Sequence, residues 1–227
     1  MKHHNTIIAI SREYGTGGRD IGRLLANALG IPLFDKEIQA LAMERSNLGE
    51  DFIEKHGESV PSKLKLNLQR FSLSVPARMP AGPKAHHMTA YAALHRAEAR
   101  TNEDQLFQLK ASIVKEIASQ GSCVIVGRCA SWVLREHPHL LSVFIRGDFD
   151  SCVRRSIHTY GNPAETATAD VKQINKHRAN YYKMHTGQTW NFLHNYDLVV
   201  NSSYTGIEGA VAVIKAAVEN KYSLGGA

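Results

Sequence analysis

IIAISREYGTGGRDIG, residues 7–22, changes character twice. A β-branched apolar run ends at Ser11, a glycine-rich turn follows, and Ile21, Leu24, Leu25, Ala28 and Leu29 then recur at helical spacing from Asp20 until Gly30 and Pro32. Strand, glycine loop and helix in that order suit a bound phosphate. Glycines let backbone N–H groups converge on an anion, and the helix that follows adds the positive end of its dipole. An ordinary turn can use the same glycines, but the position between strand and helix favours the phosphate reading.

Working outward, IPLFD predicts a second short strand and residues 36–45 a helix. Residues 57–87 hold four of the seven prolines and predict a mobile excursion, reaching to about residue 101. Leu106, Leu109, Ile113 and Ile117 restore helical periodicity up to Gly121. The continuous apolar runs CVIV and LLSVFI predict fully buried strands, with a short helix at residues 130–135 between them. A long polar stretch, residues 148–195, precedes a last strand at DLVVNS and a helix over residues 207–219. Strands alternating with helices imply an α/β fold with a mostly parallel sheet between two helical layers. Ligands of such sheets gather beyond the carboxyl ends of the strands, where the glycine loop, Gly127-Arg128, Arg146 and Ser202-Ser203 would converge.

The chain has 227 residues, 43% of them apolar, enough for one large domain over 1–227. Its formal charge of +6 is spread without a Lys/Arg run and suits small polyanions. Nucleic acid is disfavoured, because there is no RNP-like aromatic motif or groove-reading stripe of charge. Three cysteines without a C-x-x-C pair predict reduced thiols and a cytoplasmic protein. No apolar stretch approaches the ~18 residues a membrane span needs. The twelve histidines lack the cysteine or carboxylate spacing of a zinc site.

SREYGTGGRDIGRLLANALGIPLFDKE, CVIVGRCASWVL, HRANYYKMHTGQTW and YDLVVNSS, in that order, resemble the cytidylate kinase-like family of P-loop kinases. The resemblance implies a P-loop NTPase-like three-layer sandwich with acceptor-binding and lid excursions, the lid at about residues 150–192. It further implies ATP with Mg2+ at the glycine loop and a nucleoside monophosphate opposite, CMP or dCMP leading. A homodimer is compatible with it. The alternative is a nucleotide-binding regulatory domain with little or no kinase activity.

Against the Walker pattern G-x-x-x-x-G-K-[ST], Arg12 stands at the first glycine, Gly17 at the second, Gly18 at the lysine and Arg19 at the Ser/Thr. Arg12, Gly15, Thr16, Gly17, Gly18, Arg19 and Asp20 are the expected ATP phosphate site, with Arg19 or Arg12 replacing the lysine's charge. Asp20 is the expected Mg2+ ligand in place of the lost hydroxyl. Arg19, Arg128, Arg155 and Arg178 are the expected catalytic cations. Arg154, Arg155, Lys176, Arg178 and Lys183 are the expected lid, with Arg178 favoured over Lys176 because neighbouring charges on a helix usually include a solvated one. Asp35 and Arg128 are the expected acceptor residues, and Arg45 is the nearest counterpart of the family's next acceptor arginine. Cys129 follows Arg128 where cytidylate kinases carry an aspartate. Tyr181, Tyr182 and Trp190 are expected to pack the lid against the core before they stack on a base.

Overall fold

The computed structural model describes residues 6–46 and 88–224. Residues 57–87 of the expected excursion lie outside them, and its remainder, residues 88–101, is helical, the start of a helix that runs on to Ser119. The strands are β1 (Ile7–Arg12), β2 (Leu33–Phe34), β3 (Cys123–Val126), β4 (Leu140–Arg146) and β5 (Leu198–Asn201). They form one sheet in the order β2-β3-β1-β4-β5, and every pairing is parallel.

β1 is central because it is apolar on both sides. Ile7 and Ala9 face one core cluster, and Ile8 and Ile10 the other, as the period-2 alternation of a strand requires. The first cluster is closed by α2 (Lys36–Arg45), α3 (Met88–Ser119) and the short α4 (Ala130–Val133). The second is closed by α1 (Gly18–Leu29) and α7 (Ser202–Leu224). Each fully buried isoleucine contributes about 1.5–3 kcal/mol of transfer free energy. The result is the three-layer P-loop NTPase-like sandwich that the sequence predicts.

Two local features differ from the sequence expectation. α1 begins at Gly18, ahead of its first apolar residue, because Gly17 takes the left-handed conformation (φ 74°) that turns the chain into the helix. α7 is bent at Gly206 (φ 70°, ψ −179°), so only its part beyond the bend follows the predicted periodicity. β5 is fixed to β4 by side chains as well as by the ladder: the Ser142 amide and hydroxyl both donate to Asp197 Oδ2 at 2.7 Å.

The polar stretch folds into α5 (Phe149–His158) and α6 (Ala164–Thr186). α6 packs its aromatic face on the sheet: Tyr182, with Trp190 from the turn after the helix, joins Phe144 and Tyr196 in a third cluster, where Tyr196 Oη donates to the Trp190 carbonyl at 2.6 Å. His185 stacks on Phe107 of α3 with ring centroids 4.3 Å apart and planes 2° from parallel. Burial lowers its pKa, against the raising effect of Asp104 and Glu103 and together with the lowering effect of Lys110. The unfolded chain therefore binds this proton more readily than the folded one, and stability falls as pH drops through the ordinary histidine value of 6.5. Thermal melts at about pH 7.5 and about pH 5.5 should show a larger loss in the wild type than in His185→Phe, which keeps the stack and cannot titrate. Equal losses would remove His185 from the pH dependence.

Candidate active site

The parallel sheet brings the ends of β1, β3, β4 and β5 to one edge, and the loop after β1 lies across it. Gly15 takes φ 85°, and a β carbon there would stand 2.4 Å from the Cys152 carbonyl oxygen of α5. The loop therefore rests directly on the α5 backbone. Burial pushes the Cys152 thiol up to about 11, so it is neutral at pH 7 and serves packing. Thr16 is buried and its hydroxyl donates to the Glu13 carbonyl at 2.8 Å, which tightens the turn from within. Glu13 Oε2 accepts from the Gly147 amide at 3.0 Å, tying the loop to the end of β4.

α6 reaches the loop from above. The Tyr14 amide donates to Asn175 Oδ1 at 2.7 Å, and Asn162 Nδ2 donates to the Tyr14 hydroxyl at 3.1 Å. Arg178 Nη1 donates to the Arg12 carbonyl at 3.1 Å while its guanidinium lies 5.8 Å from the centre of the Tyr14 ring. These contacts leave two hollows. The outer cleft, about 500 Å³, runs over Arg12, Tyr14, Gly15, Gly18, Arg19 and Asp20 to Tyr160 and Arg178. An inner pocket of about 60 Å³ is lined by Arg12, Lys110, Arg128, His177 and Arg178, with Tyr181, Tyr182 and Trp190 as its aromatic wall. No carboxylate is among the described residues that line the inner pocket. Four fixed cations without a lining acid suit a multiply charged anion. Arg12 and Arg178 line both hollows.

A model of the cytidylate kinase-like family matches residues 7–204. The chain belongs to that family. A cytidylate kinase of Methanococcus aeolicus is 31% identical over 110 residues, 47% of this chain and 61% of that enzyme's length. A cytidylate kinase of Pyrobaculum aerophilum is 22% identical over 207 residues, 91% of this chain and 89% of its own. Among solved structures, an uncharacterized protein from Eubacterium ventriosum ATCC 27560 superposes with a TM-score of 0.65 at 22% identity, covering 94% of this chain and 98% of that one. Shikimate kinase from Acinetobacter baumannii, in complex with shikimate, gives 0.50 at 11% identity, with 96% of each chain covered. These likenesses agree with the family in fold.

Within this cytidylate kinase-like chain the expected residues divide. Arg12, Gly15, Gly18, Arg19, Asp20 and Arg178 line the outer cleft, and Arg128 lines the inner pocket. The Arg155 guanidinium comes within 3.5 Å of where a β carbon on Gly17 would lie, so it stands beside the loop. Arg19 Nε is paired with the buried carboxylate of Asp35, which joins the expected phosphate and acceptor residues into one ion pair at the cleft's edge. Asp20 lies 3.7 Å from Arg23 and is half-exposed. Arg154 donates to the Ser151 hydroxyl at 2.9 Å on an exposed face, and Lys176 and Lys183 are exposed and line neither hollow. Arg45 is bound to both oxygens of Glu116, at 2.8 and 3.3 Å, which accounts for its raised pKa and holds it between α2 and α3.

Lys110, Tyr14, Tyr160, Asn162 and Asn175 are site residues that the sequence reading passes over. Lys110 carried a readable signal: it falls one helical turn from Leu106 and from Val114, on the apolar stripe of α3, and is buried. Asn162 and Asn175 carried none, since nothing local marks a residue whose partner is a loop far along the chain.

Proposed function

We propose that this chain transfers the γ-phosphoryl group of ATP to a nucleoside monophosphate, with CMP or dCMP the leading acceptor. The observation that carries this reading is the meeting of a glycine-loop cleft and a cationic, aromatic-walled pocket at two shared arginines, Arg12 and Arg178. Phosphoryl transfer asks a protein for positioning and for positive charge around the transferring group, and both are supplied here. An ionised acceptor phosphate oxygen bonds to the γ phosphorus as the β,γ-bridging P–O bond breaks and its electron pair leaves with ADP. No proton has to be removed from such an acceptor.

The loop's backbone N–H groups and the first turn of α1 hold the donor phosphates, with Arg155 beside Gly17. Arg128 and Lys110 hold the acceptor phosphate, and Tyr181 and Trp190 bound its base. Asp35 Oδ1 is buried and has no hydrogen-bond donor among the described residues, which suits it to accept from an acceptor hydroxyl. Mg2+ with a bound nucleotide takes one or two carboxylates beside phosphate oxygens and water, and Asp20, a cleft carboxylate in the first turn of α1, fits that role. When bound, the ion neutralises developing charge between the β and γ phosphates. α5 and α6 act as the lid that excludes water from the transfer.

An ADP-release assay with ATP and Mg2+ against CMP, dCMP, UMP, AMP, GMP and no acceptor tests the reading. Release that depends on one cytidine monophosphate is expected. A blank-level rate with every acceptor, while ATP still raises the melting temperature, would replace the kinase by a nucleotide-binding regulatory domain. Glycine at the Walker lysine's place is the observation that favours this second reading.

A further inference from the structure

Arg12 and Gly18 hold each other's usual places. In a Walker loop the position of Arg12 is glycine and that of Gly18 is lysine. Here a β carbon on Gly18 would stand 2.7 Å from both Cβ and Cγ of Arg12. A β carbon on Gly127, after β3, would stand 2.7 Å from Arg12 Nη1 and 3.3 Å from Cζ. The Arg12 side chain therefore leaves β1, passes beneath the first turn of α1 and ends against Gly127, 7% exposed, on the wall shared by the outer cleft and the inner pocket. A lysine at position 18 would have to start from space that this arm already fills.

We infer that Arg12 is the cation that holds the phosphoryl group in transit, that it replaces the missing lysine from the opposite end of the loop, and that Gly18 and Gly127 are glycine to let its side chain through. The inference rests on the proposed kinase reading for the word transit, while its phosphate contact can be tested without turnover. A guanidinium approaches two phosphate oxygens at once, where an ammonium offers a point charge, so the exchange also changes how the group is gripped. Arg19 is thereby left a different role, since its Nε is engaged by Asp35 and it lines the outer cleft but not the inner pocket.

The test uses the full chain, with inorganic tripolyphosphate binding by calorimetry, ADP release, and a thermal melt for each variant. Arg12→Met should weaken tripolyphosphate at least about tenfold and slow ADP release at least about a hundredfold. Arg12→Gly/Gly18→Lys, which restores the Walker order, should bind tripolyphosphate at least about tenfold more tightly than Arg12→Gly alone. Binding by Arg12→Met within about threefold of the wild type, or a double variant no better than the single, overturns the inference. If Arg12→Met does not melt cooperatively, Arg12→Lys decides: release slowed about tenfold or more with tripolyphosphate still bound is expected, and unchanged release overturns it. A wild type that binds tripolyphosphate through Arg12 but transfers to no acceptor would sink the kinase reading and leave this contact standing. A wild type that turns over equally well as Arg12→Met would do the reverse, and one that neither turns over nor binds tripolyphosphate would end both.

Discussion

Replacing Arg178 with methionine is expected to lower ADP release about a thousandfold, the cost of removing one well-placed donor from developing charge. Arg178 lines both hollows, and its Nη1 bond to the Arg12 carbonyl fixes where the guanidinium lies. The fold should survive. Among the arginine's contacts are a hydrogen bond and a cation–π contact at 5.8 Å. Those two account for about 2 kcal/mol, or a fall of a few degrees in melting temperature. Measuring kcat with saturating ATP and acceptor separates this from weakened binding, since a group that acts on the transferring phosphoryl lowers kcat itself. A variant that raises only KM would make Arg178 a substrate clamp, and one with unchanged kinetics would remove it from the site.

Gly15→Ala should destabilise the protein by about 3 kcal/mol, combining a left-handed backbone penalty with overpacking. The loop has no slack there. The new methyl would fall 2.4 Å from the Cys152 carbonyl oxygen and 2.7 Å from its Cα, backbone atoms that a rotamer change does not move. Gly30→Ala is the matched control. Gly30 has φ 65° and nothing within 4 Å of its added carbon, so only the backbone penalty of about 1–2 kcal/mol applies. Denaturant melts of the two variants should differ by about 1–3 kcal/mol. Equal losses would mean that α5 gives way and that the loop does not rest on it.

The contrast between these two glycines shows what the sequence can carry. The sheet was legible because each buried strand is continuously apolar and the helices α1 and α2 and the later part of α7 announce their period, whereas α5 and α6 lie in a stretch whose polar composition obscures theirs. CVIV, LLSVFI and LVVN all appear as strands, and α2 has the span that its pattern predicts. The glycine loop was legible as a phosphate device for the same local reason. Pairings across long separations were not. Arg19 and Asp35 were expected to serve different substrates and are bound to each other, and Arg45, read as a counterpart by position, is taken by Glu116. Charge composition does not say which acid an arginine meets. The path of Arg12 beneath Gly18 follows from two backbones passing closely, a fact that resides in the packing and in no stretch of sequence alone.

β1 is paired on both sides with strands made much later: Ile7 meets Cys123 on one side and Leu140 on the other. A ribosome therefore completes the core's middle strand long before either neighbour exists. During that interval IIAIS has both apolar faces and both ladder edges uncovered, the combination that makes a nascent segment adhesive to other chains. Such a topology folds slowly for its size, because the loops joining the strands must close before any pairing rewards them. The same central placement that aims the glycine loop at the site thus makes the yield of this protein depend on how well its first strand is shielded during synthesis.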